Sequence, residues 1–429
     1  GDRFGSDLAV SSNLLVVGTA EDDATEIDSG TVTVFDTTNG QLLYSIDNPN
    51  PSQFAFFGGA VAIADGRITV GAYLDDASGM DSGTAYVFDA TNGDLITQLV
   101  DPAGNAFDYF GSEVSMSNGR IAVGAPRTDA GDSNAGSVLL FDATTGAFQR
   151  EIANPAPGNA EYFGDAVGLD GDHLVVGAYL DNTGAVNSGT AYLFDASTGN
   201  LLHTLNNPTP AVADNYGFTV AIRGDDVVVG AYRDNAGAND AGAIHQFSAS
   251  SGALLRSITN PTPADLDYFG YSFAIADDAI AVGAYWDDTS AQDAGVVHLF
   301  DIDTGADLAA PIFSPAISAY DFFGQAVATD GDLVVVGSYL EDAMALDSGV
   351  VRVLDAATGN VLRTIHNPTP AERDNFGYSV ALHNDRLVVG AFRDDLTARD
   401  AGVAYVFDVN TGNLLQTLTN PNINEQAQF

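Results

Sequence analysis

Residues 163–210 read FGDAVGLDGDHLVVGAYLDNTGAVNSGTAYLFDASTGNLLHTLNNPTP, and residue 216 begins the same pattern again. The aromatic-glycine pair that opens this stretch occurs eight times, and its aromatic residues are Phe4, Phe57, Phe110, Phe163, Tyr216, Phe269, Phe323 and Phe376. Successive pairs are 53 residues apart, except for one interval of 54. A fixed period near 50 residues indicates a propeller, a solenoid or an array. The chain therefore consists of eight copies of one unit.

Each unit predicts four β-strands. Residues 166–169 and 174–178 flank an Asp170-Gly171 turn, which is a strong hairpin signal. After a polar loop, the apolar and β-branched runs 189–194 and 201–205 form a second pair of strands. No helical periodicity interrupts the unit. Four antiparallel strands per repeat of about 53 residues, repeated eight times, predict an all-β fold, the eight-bladed β-propeller.

The period also predicts the limits of the blades within a single domain that covers residues 1–429. The expected blades are 4–56, 57–109, 110–162, 163–215, 216–268, 269–322, 323–375 and 376–429. The first and last repeats resemble the others, so we expect a ring that closes by packing, with Ala427 to Phe429 reaching toward the first blade. The loop between strands two and three and the loop between blades should share one face, which we call the rim.

The composition narrows the classes of function. All 14 basic residues are arginines, and 58 acidic residues bring the net charge to −44. Such a charge repels nucleic acid, and suits either a saline environment or a surface that binds divalent cations. The absence of cysteine excludes disulfides, thiol nucleophiles and sulfur-ligated metals. No apolar run is long enough for a transmembrane segment. Because the chain starts at Gly1 without a methionine, we expect a processed or trimmed product.

The unit resembles the FG-GAP repeat of integrin α-subunit propellers and of many bacterial surface proteins. The aromatic-glycine pairs correspond to FG, and the GAP element is Gly124-Ala125-Pro126, or Gly-Ala-Tyr at Gly71, Gly177, Gly230 and Gly283. This resemblance implies a secreted or cell-surface propeller used for adhesion or recognition, often with calcium in the first hairpin. Here that hairpin has turns of two to four residues, too short to wrap a cation in six or more oxygens.

Acidic residues also align in the loop between strands two and three, where they form three columns. Carboxylate oxygens at these spacings suit a hard cation, so the sequence predicts calcium at these positions. The predicted ligands are Asp22, Asp28, Asp75, Asp81, Asp234, Asp240, Asp287, Asp293, Asp394 and Asp400. The alternative is that these side chains cap their own loop by accepting hydrogen bonds from backbone amides. A further acidic column, just before the aromatic-glycine pair, is expected to join neighbouring loops through hydrogen bonds.

One column of the rim varies from repeat to repeat, and a specific ligand would be recognised there. Its members include Trp286, Arg127, Arg233 and Arg393, which we predict as ligand-binding residues. Trp286 is suited to stacking on a sugar ring, and the alternative is that its indole packs on its own loop.

The sequence lacks the motifs H-E-x-x-H and G-x-S-x-G and any phosphate-binding glycine-rich loop before a helix. Eight equivalent rims favour a non-enzymatic module for binding, adhesion or assembly, possessing no cofactor other than calcium. Its expected partners are a protein or carbohydrate surface ligand, or further copies of itself, and neither nucleic acid nor a membrane core. Two alternatives stay open: a polysaccharide hydrolase or lyase on a propeller scaffold, and a structural subunit of a surface layer or filament.

Overall fold

A computed structural model describes residues 2–39, 41–276 and 278–420. In these residues the chain forms eight four-stranded antiparallel sheets, one for each repeat, in which the strands pair in chain order. The eight-bladed propeller with four strands per blade is therefore confirmed. No helix in the described part of the chain is long and apolar enough to cross a membrane. The predicted contact of Ala427 to Phe429 with the first blade lies outside the described residues.

The first strand of each blade contacts the first strands of both neighbouring blades, so these eight strands surround the central axis. They are β1 (Leu8–Ser11), β5 (Ala60–Ala64), β9 (Val114–Ser117), β13 (Val167–Asp170), β17 (Thr219–Arg223), β21 (Ser272–Ile275), β25 (Ala326–Thr329) and β29 (Phe376–His383). The second strands follow after tight turns. They are β2 (Leu14–Thr19), β6 (Arg67–Ala72), β10 (Arg120–Ala125), β14 (His173–Ala178), β18 (Asp226–Ala231), β22 (Ala279–Ala284), β26 (Leu333–Ser338) and β30 (Arg386–Ala391).

The third strands are almost wholly buried. They are β3 (Thr31–Asp36), β7 (Thr84–Asp89), β11 (Ser137–Asp142), β15 (Thr190–Asp195), β19 (Ala243–Ser248), β23 (Val296–Asp301), β27 (Val350–Asp355) and β31 (Val403–Asp408). The fourth strands form the outer edge. They are β4 (Leu42–Asp47), β8 (Leu95–Leu99), β12 (Phe148–Ala153), β16 (Leu201–Asn206), β20 (Leu254–Thr259), β24 (Ile312–Phe313), β28 (Val361–His366) and β32 (Leu414–Thr419). Only β24 is short, because Pro311 precedes it and lacks the amide that a ladder needs.

The hydrophobic core lies between adjacent blades rather than within each one. The aromatic residue of each aromatic-glycine pair is fully buried there. Phe163, for example, joins Val138 and Leu140 of the preceding blade with Val176 of its own. Its ring meets Tyr192 edge-on, with the centroids 5.8 Å apart. The aromatic residue of each pair therefore packs between the sheets of two adjacent blades.

Adjacent blades meet at two glycines, one from the aromatic-glycine pair and one from the Gly-Ala-Tyr or Gly-Ala-Pro element. A Cβ on Gly71 would lie 2.0 Å from the carbonyl oxygen of Gly111, which belongs to the aromatic-glycine pair of the next blade. The same contact recurs between Gly177 and Gly217, at 1.9 Å. Only glycine allows two backbones to approach so closely. These two sequence elements therefore form the backbone contact between adjacent blades, and the contact is repeated around the ring.

The ring closes by packing of the first repeat against the eighth, as predicted. The Phe4 amide donates to the carbonyl of Ala401 at 3.3 Å, and the Ser379 hydroxyl donates to the carbonyl of Gly5 at 2.8 Å. Asn420 donates to the carboxylate of Asp2 at 3.1 Å. Phe4 itself is buried with Val388 and Ala404. Within the described residues, β1 to β4 and β29 to β32 each form their own sheet, without exchange of a strand between the first and last blades.

Candidate functional site

The first acidic column of the rim caps its own loop. Asp75 is buried, and its carboxylate accepts the amide of Ala77 at 2.7 Å and the hydroxyl of Tyr86 at 3.3 Å. Asp394 accepts the amide of Leu396 at 2.9 Å and the hydroxyl of Tyr405 at 2.6 Å. Both oxygens of Asp22, Asp234 and Asp287 are engaged in the same way, with a backbone amide two residues on and with a hydroxyl or amide side chain. Burial raises the pKa of all five carboxyls.

The second and third columns form the turn at the loop tip. The carboxylate of Asp76 accepts the amide of Asp81 at 2.8 Å, and Asp81 has a φ of 51°. Positive φ is tolerated best by asparagine and aspartate among residues other than glycine. The other third-column residues repeat this geometry: Asp28, Asp240, Asp293 and Asp400 have φ between 49° and 53°. Each of these amides is likewise bound by the side chain five residues earlier.

These contacts bear on the predicted calcium ligands. In the described part of the chain, no three acidic or histidine side chains gather in a way that would hold a metal ion. The first-column carboxylates are already used by backbone amides and hydroxyls, and one carboxylate oxygen of each second-column aspartate holds the loop tip. The donor set thus fits a loop cap better than a hard-cation cage, which needs six to eight oxygens. The calcium site stays a prediction, and it is tested below by thermal unfolding.

The acidic column before the aromatic-glycine pair stabilises the loop between blades. The carboxylate of Asp214 accepts Nδ2 of Asn207 at 2.9 Å and the amide of Ala211 at 2.6 Å. Asp267 and Asp374 make the same pair of bonds with Asn260 and Asn367. Burial is the main cause that raises the pKa of Asp267 to about 7. These hydrogen bonds lie within one loop, so the predicted role of this column in joining neighbouring loops stays a prediction.

Aromatic side chains at the rim form a belt around the mouth of the central channel. They come from the position directly after the second strand in six blades, from Trp286 one residue further on, and from positions flanking the aromatic-glycine pair, where the chain enters the innermost strand. The aromatic belt consists of Phe56, Tyr73, Tyr109, Tyr162, Tyr179, Phe218, Tyr232, Tyr268, Tyr271, Tyr285, Trp286, Phe322, Tyr339, Tyr378 and Phe392. Ring contacts link these residues from the second blade to the eighth, and the guanidinium of Arg127 lies between the rings of Tyr109 and Tyr162. All of these rings except Phe392 keep some contact with solvent.

The structure spreads the four predicted ligand-binding residues around this rim. Trp286 lies in the belt, stacked parallel to Phe322 with the ring centroids 6.0 Å apart. Arg127 lies 4.0 Å from the centroid of the Tyr109 ring, and Arg393 lies 5.3 Å from that of Phe392. Arg233 forms an ion pair with Asp240 at 3.4 Å. They therefore belong to different blades and do not converge on one point.

Two cavities open at the rim, near the blades that lack an aromatic residue after the second strand. One, of about 490 Å³, lies where the first and eighth blades meet and is lined by Arg3, Glu21, Arg373, Arg393, Arg399 and Asp400 among others. Two of its four arginines form ion pairs: Arg3 pairs with Glu21 at 2.9 Å and Arg399 with Asp400 at 3.5 Å. The other, of about 310 Å³, is lined by Tyr73, Tyr109, Ser112, Pro126, Arg127, Tyr162, Asp165 and Tyr179.

Three carboxyls face the channel just inside this mouth, and the sequence analysis missed them. Asp7, Glu113 and Asp165 follow the aromatic-glycine pair, where the other blades carry uncharged residues. Burial, with repulsion from Asp7 and Asp165, raises the pKa of Glu113 to about 8. Burial also raises the pKa of Asp7 to about 6, although its carboxylate accepts the amide of Val61 at 2.7 Å. Their departure from the repeat was the signal in the sequence.

The seventh blade contains a buried ion pair. Glu341 replaces the usual first-column aspartate, and Arg352 replaces the tyrosine of the third strand. Their side chains are each only 2% exposed and form two hydrogen bonds, of 2.6 and 2.7 Å. Arg352 thus donates to Glu341 as Tyr86 donates to Asp75 in the second blade.

Comparisons with known proteins agree with this architecture. A search of curated proteins found no match. Among solved structures, the crystal structure of the computationally designed Ika8 protein is similar, with a TM-score of 0.59 and 19% identity over 98% of this chain and 97% of that one. At that identity the likeness shows the fold alone. The model of the FG-GAP repeat matches seven segments, 49–88, 95–141, 156–194, 209–247, 256–300, 311–353 and 365–407. Because these segments cover most of the sequence and each spans the contact between two blades, the chain belongs to the FG-GAP repeat family.

Proposed function

We propose that this chain is a non-enzymatic binding module that holds a protein or carbohydrate ligand on its rim, outside the cell or at its surface. The aromatic belt carries this proposal. Tyrosine, tryptophan and arginine are the residues that contribute most to binding at interfaces, and here they gather on one face of a rigid ring. Membership of the FG-GAP repeat family supports the extracellular location, because proteins of this family are typically extracellular.

The rim is also pre-organised for binding. Each loop tip is held by side-chain bonds to backbone amides, such as that from the Asp81 amide to Asp76 at 2.8 Å. A ligand therefore loses little affinity to ordering of the loops, because their conformations are already fixed. The net charge of −44 favours ligands that are neutral or basic, and it suits a saline environment in which that charge is screened.

The proposal is tested by binding to an array of glycans and extracellular proteins, with variants on both faces of the ring. A triple variant on the rim, Tyr268→Ala, Trp286→Ala and Phe322→Ala, removes one sector of the belt. The control, Arg67→Ala with Arg120→Ala, removes two partly exposed cations that form ion pairs on the opposite face. We expect the rim variant to weaken binding at least tenfold and the control to leave it unchanged. If only the control variant loses binding, the ligand binds the face opposite the rim, and the proposal is refuted.

The assembly alternative is favoured by one observation on the outer edge. The fourth strands expose leucine pairs to solvent in several blades, for example Leu201 and Leu202, which are 42% and 39% exposed. Repeated apolar side chains on an outer surface are typical of contacts between copies. Sedimentation at increasing protein concentration distinguishes this alternative, since a filament or layer subunit would associate through the edge while a monomeric binding module would not.

A further inference from the structure

The aromatic belt is interrupted in the third blade, and a cavity occupies the gap. Six blades carry a tyrosine or phenylalanine directly after the second strand, but the third blade carries Pro126. The residue after the aromatic-glycine pair is Ser112, where three other blades place a phenylalanine or tyrosine. Two small side chains thus replace rings, and they line the cavity of about 310 Å³. That volume falls within the range of small-molecule sites in proteins.

The walls of this cavity are aromatic on two sides. Tyr73 and Tyr109 line it from the second blade, Tyr162 from the third and Tyr179 from the fourth. Tyr73 and Tyr109 meet edge-on at 5.8 Å, while Tyr162 and Tyr179 stack at 6.0 Å. Rings held by other rings keep a fixed orientation, and their faces suit a flat, partly apolar ligand.

The polar groups of the cavity have unused hydrogen-bonding capacity. The Arg127 guanidinium is held 4.0 Å from the Tyr109 ring centroid and 5.7 Å from that of Tyr162, and it donates to no acceptor among the described residues. The Asp165 carboxylate, whose pKa is raised by burial and lowered to a smaller extent by the Arg127 charge, likewise accepts no hydrogen bond there. The buried Ser112 hydroxyl has no partner in the described part of the chain. Buried polar groups are usually paired, so the unpartnered Ser112 hydroxyl, beside a guanidinium and a carboxylate that make no hydrogen bond, points to a ligand that completes it.

We propose that this cavity binds one neutral pyranose ring of a carbohydrate, a conclusion that rests on the proposed function. The sugar packs against Tyr73 and Tyr179, which Arg127 does not cover, its hydroxyl oxygens accept hydrogen bonds from Arg127, and another hydroxyl donates to Asp165. A donor and an acceptor side by side match the vicinal hydroxyls of a pyranose. An acidic sugar is disfavoured by Asp165 and by the net charge of −44, and a cation is disfavoured because Arg127 already lies over the rings of Tyr109 and Tyr162.

The larger cavity between the first and eighth blades does not support the same inference. Its guanidinium groups at Arg3 and Arg399 are neutralised by Glu21 and Asp400. Its lining contains no aromatic side chain, so a sugar face would find no ring on which to stack. The third blade is therefore the place where shape, aromatic faces and unpaired polar groups coincide.

Saturation-transfer NMR with the methyl glycosides of glucose, galactose and mannose at millimolar concentration tests the proposal. Pro126→Tyr introduces the residue that five other blades carry at this position, so the fold should accept it while the ring fills the cavity. Arg127→Ala removes the donor, and Arg67→Ala is the control because Arg67 pairs with Asp89 on the opposite face of the ring. We expect transfer to at least one neutral glycoside in the wild-type protein and in Arg67→Ala, its loss in Pro126→Tyr, and at least tenfold weaker binding in Arg127→Ala.

Three results would overturn the proposal: no transfer to any neutral glycoside, unchanged transfer in Pro126→Tyr, or binding of methyl glucuronide alone. The first two leave the proposed function standing if the rim triple variant still loses its array ligand. If neither variant changes binding to the array, the rim itself is not the binding face. Thermal unfolding of Pro126→Tyr, compared with the wild type, establishes that loss of transfer reflects a filled cavity rather than a damaged fold.

Discussion

The buried ion pair of the seventh blade offers a sharp test of how the repeat is held together. Replacing Arg352 with leucine leaves the Glu341 carboxylate buried, and among the described residues the Ser314 hydroxyl at 3.1 Å is then its one side-chain donor. Breaking a buried pair by removing one partner costs about 3–5 kcal/mol. With an unfolding entropy of about 2.1 cal/mol/K per residue, the 429 residues give roughly 0.9 kcal/mol/K. The midpoint of a cooperative unfolding transition should therefore fall by about 3–6 °C.

Other blades supply two ways of restoring the site. The second blade uses an aspartate with a tyrosine, Asp75 with Tyr86 at 3.3 Å. The third blade uses Thr128 and the buried Leu139, with no charge at all. We expect the double variants Glu341→Asp with Arg352→Tyr, and Glu341→Thr with Arg352→Leu, to recover most of the lost stability. Replacement of a buried ion pair by a matched neutral pair is often neutral or stabilising.

The assay is a double-mutant cycle measured by circular dichroism during thermal unfolding. The cycle with threonine and leucine should give a coupling free energy of about 2–3 kcal/mol, because each single variant leaves a group unpaired that the double variant removes. A control pair on the surface, Arg120 with Asp172 at 2.6 Å, should show a coupling below about 1 kcal/mol. Additive effects in the seventh blade, with no recovery in either double variant, would refute the idea that the two positions act as one unit.

Three further predictions concern the channel, the ring and calcium. Burial raises the pKa of Glu113 to about 8, so the folded state binds the proton more tightly than the unfolded state. The contribution of the protonated Glu113 to stability is full below the unfolded pKa near 4.5 and is lost as the pH rises through 8. At pH 9, urea unfolding should therefore show Glu113→Gln to be a few kcal/mol more stable than the wild type. The exposed control Glu26→Gln should have the stability of the wild type. Gly71→Ala places a Cβ 2.0 Å from the Gly111 carbonyl oxygen and should lower the free energy of unfolding by about 1–3 kcal/mol or more. The control Gly66→Ala has no atom within 4 Å of its Cβ and should show only the smaller effect of backbone strain. Equal losses of stability in the two variants would contradict the packing argument. If calcium binds the rim, it should raise the unfolding midpoint above that in chelator at the same ionic strength, and equal midpoints would reject the calcium site.

Much of the fold was predictable because the repeat is expressed in the sequence itself. The interval of 53 residues, the Asp170-Gly171 turn and the apolar third strand are local signals, and they indicate the four strands of each blade correctly. The contact between Gly71 and Gly111 was not predictable in the same way. It depends on two residues of different blades that meet only after the ring has formed, although their recurrence in every repeat marked them as structural.

The candidate site was predictable only in part, because the aligned repeats do not show how far a side chain is buried or which groups form hydrogen bonds with it. The aspartate columns suggested cation ligands, but whether an oxygen is free depends on the tyrosine or amide that approaches it. Trp286 was identified by its variation between repeats, and the structure places it in a belt that its neighbours share. The channel carboxyl of Glu113 was missed, since nothing local shows that the first strands of eight blades converge around one axis.

The third blade shows how a departure from the repeat can be read as structural or functional. Thr128 and Leu139 replace an aspartate and the tyrosine that binds it, and the site remains packed because the Thr128 hydroxyl donates to the carbonyl of Ala125 at 3.0 Å. Those two substitutions compensate each other, so they need no ligand to explain them. Pro126 in the same blade is compensated only in part: the Arg127 guanidinium lies between the rings of Tyr109 and Tyr162, but a cavity remains beside it and the guanidinium has no acceptor among the described residues. In a ring of near-identical blades, selection for stability alone would be expected to place an aromatic ring at this position as six other blades do, and the incompletely filled gap is therefore the stronger indication of a bound ligand.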